Sequence, residues 1–405
     1  MSIEHTDIVA AADRLRGIIR DLPPLRARWL EDLVGGPVYL ITENLQRAGS
    51  FKVRGAFNRM AQLSPDELRR GVVAASAGNH AQGVAYAAAQ LGTHATVFMP
   101  HQATIPKVTA TRAYGADVRF AGDNLGEALE AARAFSAETG AIFIHPFDHP
   151  HVVAGQGTVG LEIIEKIPDV CTVVACTGGG GLLAGVALAV KSANPNVTVV
   201  GAQAEQAAAY PPSLEAGKPH TLTEMSTMAD GIAVPRPGDV PFALVQEFVD
   251  RIDTVSEEDL SRAVLATLER QKLLIEPAGA AGVAAVMADP TSFAPPVAIV
   301  LSGGNVDPIV LLRILRHGLS AAGRYLTVMV RLPDTPGSLA RFLNDVQAAG
   351  ANVLEVSHDR TSHELGVDEV DIVVQLETRG IDHCKQLMTN LLAEGYAVRT
   401  ASPLG

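Results

Sequence analysis

Thr172-Val-Val-Ala-Cys-Thr-Gly-Gly-Gly-Gly-Leu182 carries the chain from one kind of structure into another. Thr172–Cys176 is a short apolar run rich in β-branched residues, the pattern of a strand buried on both faces. Leu182–Ala193 then places apolar residues at helical spacing. A strand that turns directly into a helix is the unit of a parallel sheet covered by helices. Four consecutive glycines are more than a tight turn requires. Their backbone N–H groups can close around an anion at a helix N-terminus, where the helix dipole favours negative charge. A phosphate-bearing ligand is therefore expected at Gly178, Gly179, Gly180, Gly181 and Leu182, against the plainer reading of a strand-to-helix turn.

The same alternation extends outward from this stretch. Val38–Ile41, Val72–Ala75, Ala95–Met99, Ala141–Ile144, Val197–Gly201 and Val297–Leu301 read as further buried strands. Between them lie helical patterns such as Leu125–Thr139, and Ser256-Glu-Glu-Asp259 forms a capping box that opens another helix. Residues 1–320 thus read as one α/β body with open, mostly parallel sheets and helices on both faces. From Tyr325 the order changes to strand Tyr325–Leu332, helix Ser338–Ala349, strands Asn352–Asp359 and Val367–Leu376, helix Ile381–Glu394 and strand Tyr396–Arg399. This βαββαβ order is the ferredoxin-like plan, and it fills residues 325–405. Gly318–Arg324, rich in small residues, marks the linker, with the connection itself at 321–324.

A chain of 405 residues with 47% apolar composition is expected to hold more than one core. No apolar run is long enough to span a bilayer. The first twenty residues carry Glu4, Asp7 and Asp13 and lack the order of a signal peptide, so a cytoplasmic location is expected. The net charge of −12 repels phosphate backbones and argues against nucleic acid as a partner. Cys171 and Cys176 are expected to face opposite sides of the sheet, and with Cys384 they read as reduced core cysteines.

Gly49-Ser-Phe-Lys-Val-Arg-Gly55 is the segment richest in chemistry. Ser50 reads as an N-cap, and Val53, Ala56, Phe57 and Met60 have helical spacing, which puts Lys52 in the first turn. The helix dipole disfavours a cation there and lowers the amine's pKa, which suits a lysine that forms a Schiff base. A solvated surface lysine is the plainer alternative. Ser76-Ala-Gly-Asn-His80 is a second strand-to-helix loop, at the sheet edge where open α/β folds bind ligands. Leu301-Ser-Gly-Gly-Asn305 is a third, in which Ser302 reads either as a ligand contact or as a helix cap.

Together with Gly155-Gln-Gly157, Ala229-Asp-Gly-Ile-Ala233 and Glu276-Pro-Ala-Gly279, these segments resemble the fold-type-II pyridoxal-phosphate enzymes, and within them the threonine ammonia-lyases (threonine dehydratases). The resemblance covers about the first 320 residues. It implies pyridoxal 5'-phosphate as cofactor, joined covalently to Lys52, which also moves the substrate α-proton. It implies that Phe51 packs on the pyridine ring, Asn79 hydrogen-bonds the ring hydroxyl, Gly178–Leu182 hold the phosphate, and Ser302 meets the ring nitrogen. Ser76, Ala77, Gly78, Asn79 and His80 are implied to bind the substrate, threonine or serine. A small subdomain at about 51–150 is implied to close over the rest. The implied reaction is loss of water and then ammonia, giving 2-oxobutyrate or pyruvate. A serine racemase/dehydratase or a hydroxyaspartate dehydratase is the alternative on the same fold. Ala77 stands where serine racemases carry a serine, and alanine cannot transfer a proton, which favours elimination.

The tail segments Asp334-Thr-Pro-Gly-Ser-Leu339 and Gly350-Ala-Asn352 resemble the ACT domain, an amino-acid-binding regulatory module. That resemblance implies an effector pocket near Gly337 and Asn352, with isoleucine or valine as the branched-chain effector, or else a purely oligomerising role; a homodimer or homotetramer is expected. Some relatives bind a divalent cation near the position of Gln203, two residues before Glu205, and glutamine is a poor ligand for a hard cation, so no metal is expected. His145-Pro-Phe-Asp-His-Pro-His151 reads as a surface loop, and Trp29 as a packing residue. Two readings from other classes remain. Gly179-x-Gly181-x-x-Ala184, with Glu205 beyond, fits a nicotinamide-dinucleotide pattern but leaves Lys52, the Ser76–His80 loop and Ser302 without a role. A non-catalytic amino-acid sensor leaves Lys52 unexplained.

Overall fold

The computed structural model describes residues 3–360 and 365–400, in two compact units, Met1–Leu311 and Leu312–Gly405. In the first unit, the larger sheet has the order Leu25–Arg26, Val38–Ile41, Val297–Val300, Thr172–Cys176, Thr198–Ala204, Arg251–Val255. Its first pair is antiparallel and the rest are parallel. A smaller parallel sheet runs Asp117–Phe120, Ala95–Met99, Val72–Ala75, Ile142–Phe143. The central strands are buried along their whole length, as continuous apolar runs require. The strands not foreseen, Leu25–Arg26, Asp117–Phe120 and Arg251–Val255, are sheet edges with charged residues, which suits an edge and hides it from an apolar-run reading.

Three helices bring the reactive segments together. Lys52–Met60, Pro150–Lys166 and Gly181–Ala193 approach backbone to backbone through glycines. A Cβ on Gly155 would lie 2.7 Å from the Cα of Gly55, and one on Gly185 would lie 2.6 Å from the backbone N of Gly157. Gln156 Oε1 accepts the Gly55 N–H at 3.1 Å. Gly155-Gln-Gly157 is thus a packing device that seats the Lys52 helix.

An ion network fastens the same helix. Arg54 is 0% exposed and donates a fork to Glu43, at 2.8 and 2.7 Å, and one bond to Glu162 at 2.5 Å. Thr158 Oγ1 accepts a further bond at 3.0 Å. With every donor direction answered, the two carboxylates hold the guanidinium more strongly charged than usual, despite the burial that opposes it.

The second unit is a four-stranded antiparallel sheet in the order Asn352–Asp359, Glu369–Glu377, Tyr325–Pro333, Ala397–Thr400. Helices Ser338–Ala348 and Ile381–Ala393 pack on it, giving the βαββαβ plan. The expected linker is partly helix, because Gly318–Ala321 complete the last turn of Pro308–Ala321, and only 322–324 form a turn. Cys171 is exposed just before its strand and Cys176 is buried within it, both as free thiols. Among the described residues, no helix is long and apolar enough to cross a membrane.

Removing the Arg54 fork leaves Glu43 buried without a counter-charge, an imbalance that costs about 3–5 kcal/mol. Arg54→Met is expected to lower unfolding stability by that amount in chemical denaturation. The double variant with Glu43→Leu should recover a large part of the loss, and purely additive losses would show that the pair is not coupled.

Candidate active site

The carboxyl ends of the strands in both sheets open onto one cavity of about 260 Å³. Phe51, Lys52, Ser76, Ala77, Gly78, Asn79, His80, Gly178–Gly181, Leu182 and Ser302 all line it. Every residue singled out in the three loops is therefore brought to one place. Gly337 and Asn352 belong to the second unit, where Gly337 caps the helix Ser338–Ala348 with φ +91° and Asn352 opens an edge strand.

Lys52 is the first residue of its helix, as its place in the sequence predicts. Ser50 is not the cap. It bridges to Gly303 through the backbone, its hydroxyl is buried without a partner, and Phe51 takes the cap position without a side-chain bond. The segment before the helix is held by the neighbouring loop: Phe51 N–H donates to Ser302 O at 3.1 Å and Gly304 N–H to Gly49 O at 3.0 Å. Lys52 Nζ donates to Pro146 O at 3.0 Å and sits 5.1 Å from the centre of the Phe51 ring. Burial brings its pKa down to about 8, against the opposing pull of Cys176 and Glu276.

The glycine turn is shaped by its neighbours as well as by its own flexibility. Gly180 has φ +95° and caps the helix Gly181–Ala193, and a Cβ there would collide with the Tyr210 hydroxyl. A Cβ on Gly179 would press 2.5 Å from the Phe147 ring. The turn presents the N–H groups of a helix start, which have no acceptor within the helix. Ser302 Oγ, at the end of Val297–Val300, accepts from the Cys176 thiol at 3.2 Å. Burial pushes that thiol up to about 11, so it stays protonated and donates.

In the second loop, Asn79 begins the helix Asn79–Leu91, and its amide is fixed on both sides. Asn305 Nδ2 donates to its Oδ1 at 2.8 Å, and its Nδ2 donates to Glu276 Oε1 at 2.5 Å. His80 Nε2 lies 2.8 Å from Ile144 O, and burial drives its pKa down to about 3. A neutral ring with Nε2–H donating to that carbonyl satisfies both facts. Ser76 Oγ accepts from Gly78 N–H at 3.2 Å.

Residues 145–151 are not a surface loop. Pro146 O receives the Lys52 amine, and Phe147 walls the glycine turn. Its histidines serve the backbone: His145 Nδ1 accepts from Asp148 N–H at 2.8 Å and His149 Nδ1 from His151 N–H at 3.1 Å. Pro150 starts a helix instead of breaking one. Gln203 is buried and uses Oε1 to accept from Tyr210 N–H at 3.1 Å. Among the described residues, no group of three or more His, Cys, Asp or Glu is arranged to hold a metal ion. Glu205 is exposed and lies outside the cavity lining, so the dinucleotide pattern lacks its ribose partner.

Residues 15–303 match the family described as pyridoxal-phosphate dependent enzyme. The chain belongs to that family. An L-threonine ammonia-lyase of Thermotoga maritima is 46% identical over 97% of this chain and 98% of its own length. One from Geobacter sulfurreducens is 43% identical over 98% of this chain and 99% of its own. Among solved structures, a threonine deaminase from an organism given as T.th. is 42% identical, with a TM-score of 0.72 over 75% of this chain and 99% of that one. A maize serine racemase is 32% identical, with a TM-score of 0.74 over 79% of this chain and 99% of that one.

The residues present fit the family's cofactor. A desolvated amine, an aromatic side chain beside it and a glycine turn that tolerates no Cβ share the cavity with hydrogen-bonding groups at Asn79 and Ser302. The inward-facing Lys107, Phe147, Cys176, Asp230, Glu276 and Asn305 were given no role by sequence reasoning. Glu276 had a legible signal, since it is the one charge at the head of Pro277–Ala288, a helix with no other charged residue.

An amine that loses its proton near pH 8 is about one-tenth neutral at pH 7 and mostly neutral at pH 9. After removal of the cofactor, the rate of its uptake by the protein, followed by absorbance, is expected to rise with pH and level off above about 8.5. A rate still climbing tenfold per unit beyond pH 10 would show an ordinary exposed lysine.

Proposed function

We propose that this protein removes water and then ammonia from L-threonine, giving 2-oxobutyrate, and converts L-serine to pyruvate in the same way. The observation that carries the reading is the Lys52 amine, held in one cavity with the four-glycine turn, in a chain 46% identical over nearly its whole length to an L-threonine ammonia-lyase. When bound, pyridoxal phosphate supplies an aldehyde that takes up amines and a conjugated ring that spreads the charge left by the departing α-proton.

The chain's own groups do the rest. N–H groups of Gly178–Leu182, at the start of a helix, hold the phosphate anion. Phe51 packs on the ring, Asn79 turns an amide N–H toward the ring hydroxyl, and Ser302 faces the ring nitrogen. Because the Cys176 thiol donates to Ser302 Oγ, the serine hydroxyl hydrogen is free to point at that nitrogen. A hydroxyl is a weaker proton donor than a carboxylic acid, so the ring remains a moderate electron sink, which suits prompt loss of the β-hydroxyl. Ser76–Asn79, with the N-terminus of the following helix, receives the substrate carboxylate through N–H groups, since His80 is neutral and brings no charge. Lys52, freed by the incoming amine and neutral, takes the α-proton at Nζ. Hydrolysis of the released enamine yields ammonia and the 2-oxo acid. Closure of residues 51–150 over the larger sheet would exclude water during these steps.

Serine racemases are the competing reading, because they share the fold at 32% identity. Racemisation requires a proton carrier on each face of the α-carbon, and Ala77 in the cavity wall carries none. The C-terminal unit is read as an ACT domain that binds a branched-chain amino acid near Gly337 and Asn352, in a cytoplasmic homodimer or homotetramer. Its ferredoxin-like sheet supports that reading.

Release of 2-oxobutyrate from L-threonine by the purified holoenzyme is the direct assay. Lys52→Ala is expected to lower kcat/KM by at least ~100-fold, and full activity in that variant would refute the mechanism. Isoleucine or valine is expected to shift threonine kinetics, and Asn352→Ala to remove the shift while leaving basal turnover intact. A response unchanged by Asn352→Ala would move the effector site elsewhere.

A further inference from the structure

One buried acid in the cavity has no task in the reaction above. Glu276 is 4% exposed, stands at the N-cap of Pro277–Ala288, and reaches the cavity wall. We infer that Glu276 is a positioning residue of the reaction centre, which fixes the Asn79 amide at the end of a side-chain relay running from Ala48 through Asn305 to Asn79.

Each link of the relay is a short bond. Asn305 Nδ2 donates to Ala48 O and to Asn79 Oδ1, both at 2.8 Å, which uses both hydrogens of that amide. Asn79 Oδ1 is thereby an acceptor, so its Nδ2 must face Glu276, and the 2.5 Å bond to Oε1 takes one of its two hydrogens. The second hydrogen is left for the ring hydroxyl that the proposed function assigns to Asn79; the inference rests on that reading. The relay cannot slip, because its ends are backbone-anchored. Glu276 N–H donates to Gly303 O at 3.0 Å, and Gly304 N–H donates to Gly49 O at 3.0 Å, three residues before Lys52. A Cβ on Gly49 would lie 2.5 Å from Asn305 Oδ1, so the Asn305 amide is also packed against the turn that leads into Lys52.

The relay is sensitive to protons. Burial holds the Glu276 pKa up at about 7, helped by the Asp230 carboxylate, while Asn79, Lys107 and Lys52 pull it down. Lys107 and Asp230 form an ion pair of their own beside it. Above about pH 7 a carboxylate accepts from Asn79 in a charge-assisted bond; below it a neutral carboxyl accepts more weakly. The Asn79 amide is then less firmly aimed, and the ring hydroxyl loses a fixed donor.

The absorption spectrum of the bound cofactor reports hydrogen bonding at that hydroxyl without relying on turnover. In the holoenzyme, the ratio of its near-ultraviolet and visible bands is expected to shift with a midpoint near pH 7. Glu276→Gln preserves shape and a neutral acceptor, and should abolish that midpoint. Glu276→Ala should release the cofactor on dialysis about tenfold faster than wild type, the effect of losing one charge-assisted bond. Asp230→Asn removes the carboxylate that raises Glu276 and frees Lys107, so the midpoint should move down in pH. A Glu276→Gln protein that titrates like wild type, a Glu276→Ala protein with the wild-type spectrum and retention, or a midpoint unmoved by Asp230→Asn would overturn the inference. A wild-type protein that develops no cofactor band when supplied with pyridoxal phosphate would instead overturn the proposed function on which it rests.

Discussion

The structure of the first unit depends on a buried guanidinium. Arg54 lies two residues beyond Lys52 on the same short helix, fully buried, gripped by Glu43 from the loop after Val38–Ile41 and by Glu162 from Pro150–Lys166. An unpaired cation in that position would be intolerable, so the three groups keep their relative places or the region unfolds. Glycine contacts at Gly55, Gly155, Gly157 and Gly185 do for shape what the ion network does for charge. They bring the lysine helix, its support helix and the helix that follows the glycine turn to backbone contact, which sets the reach from the amine to the turn.

Around that anchor the cavity sorts its ionisable groups by state. Burial makes the Lys52 amine easy to deprotonate, holds His80 neutral, keeps the Cys176 thiol protonated and leaves Glu276 poised near neutrality. One physical cause, loss of water, acts on acids and bases in opposite directions, so a neutral amine and a neutral thiol share one cavity with a half-ionised acid. Such a site favours moving protons within the protein over exchanging them with solvent.

The strands of both central sheets are legible as apolar runs, because a strand buried on two faces needs no alternation. The C-terminal βαββαβ order is legible because its helices and strands differ plainly in period. The site loops are legible because glycine, serine and asparagine clusters between a strand and a helix have few other uses. Edge strands escape notice for want of apolar content, and Ser50 reads wrongly as a cap because its backbone is drawn into a bridge with Gly303. Residues 145–151 read wrongly as a surface loop because their prolines and histidines suggest exposure, whereas the structure spends them on a wall of the cavity.

Local sequence determined the kinds of element, the anion-binding character of the Thr177–Leu182 turn and the place of Lys52 at a helix start. These follow from periodicity, capping and backbone freedom, which act over a few neighbouring residues. Tertiary structure alone decided that Pro146 meets Lys52, that Arg54 has two carboxylates to answer it, and that Glu276 touches Asn79 from 197 positions away. Those pairings come from chain segments far apart, brought together by the burial of sheets and helices, and no local pattern records them.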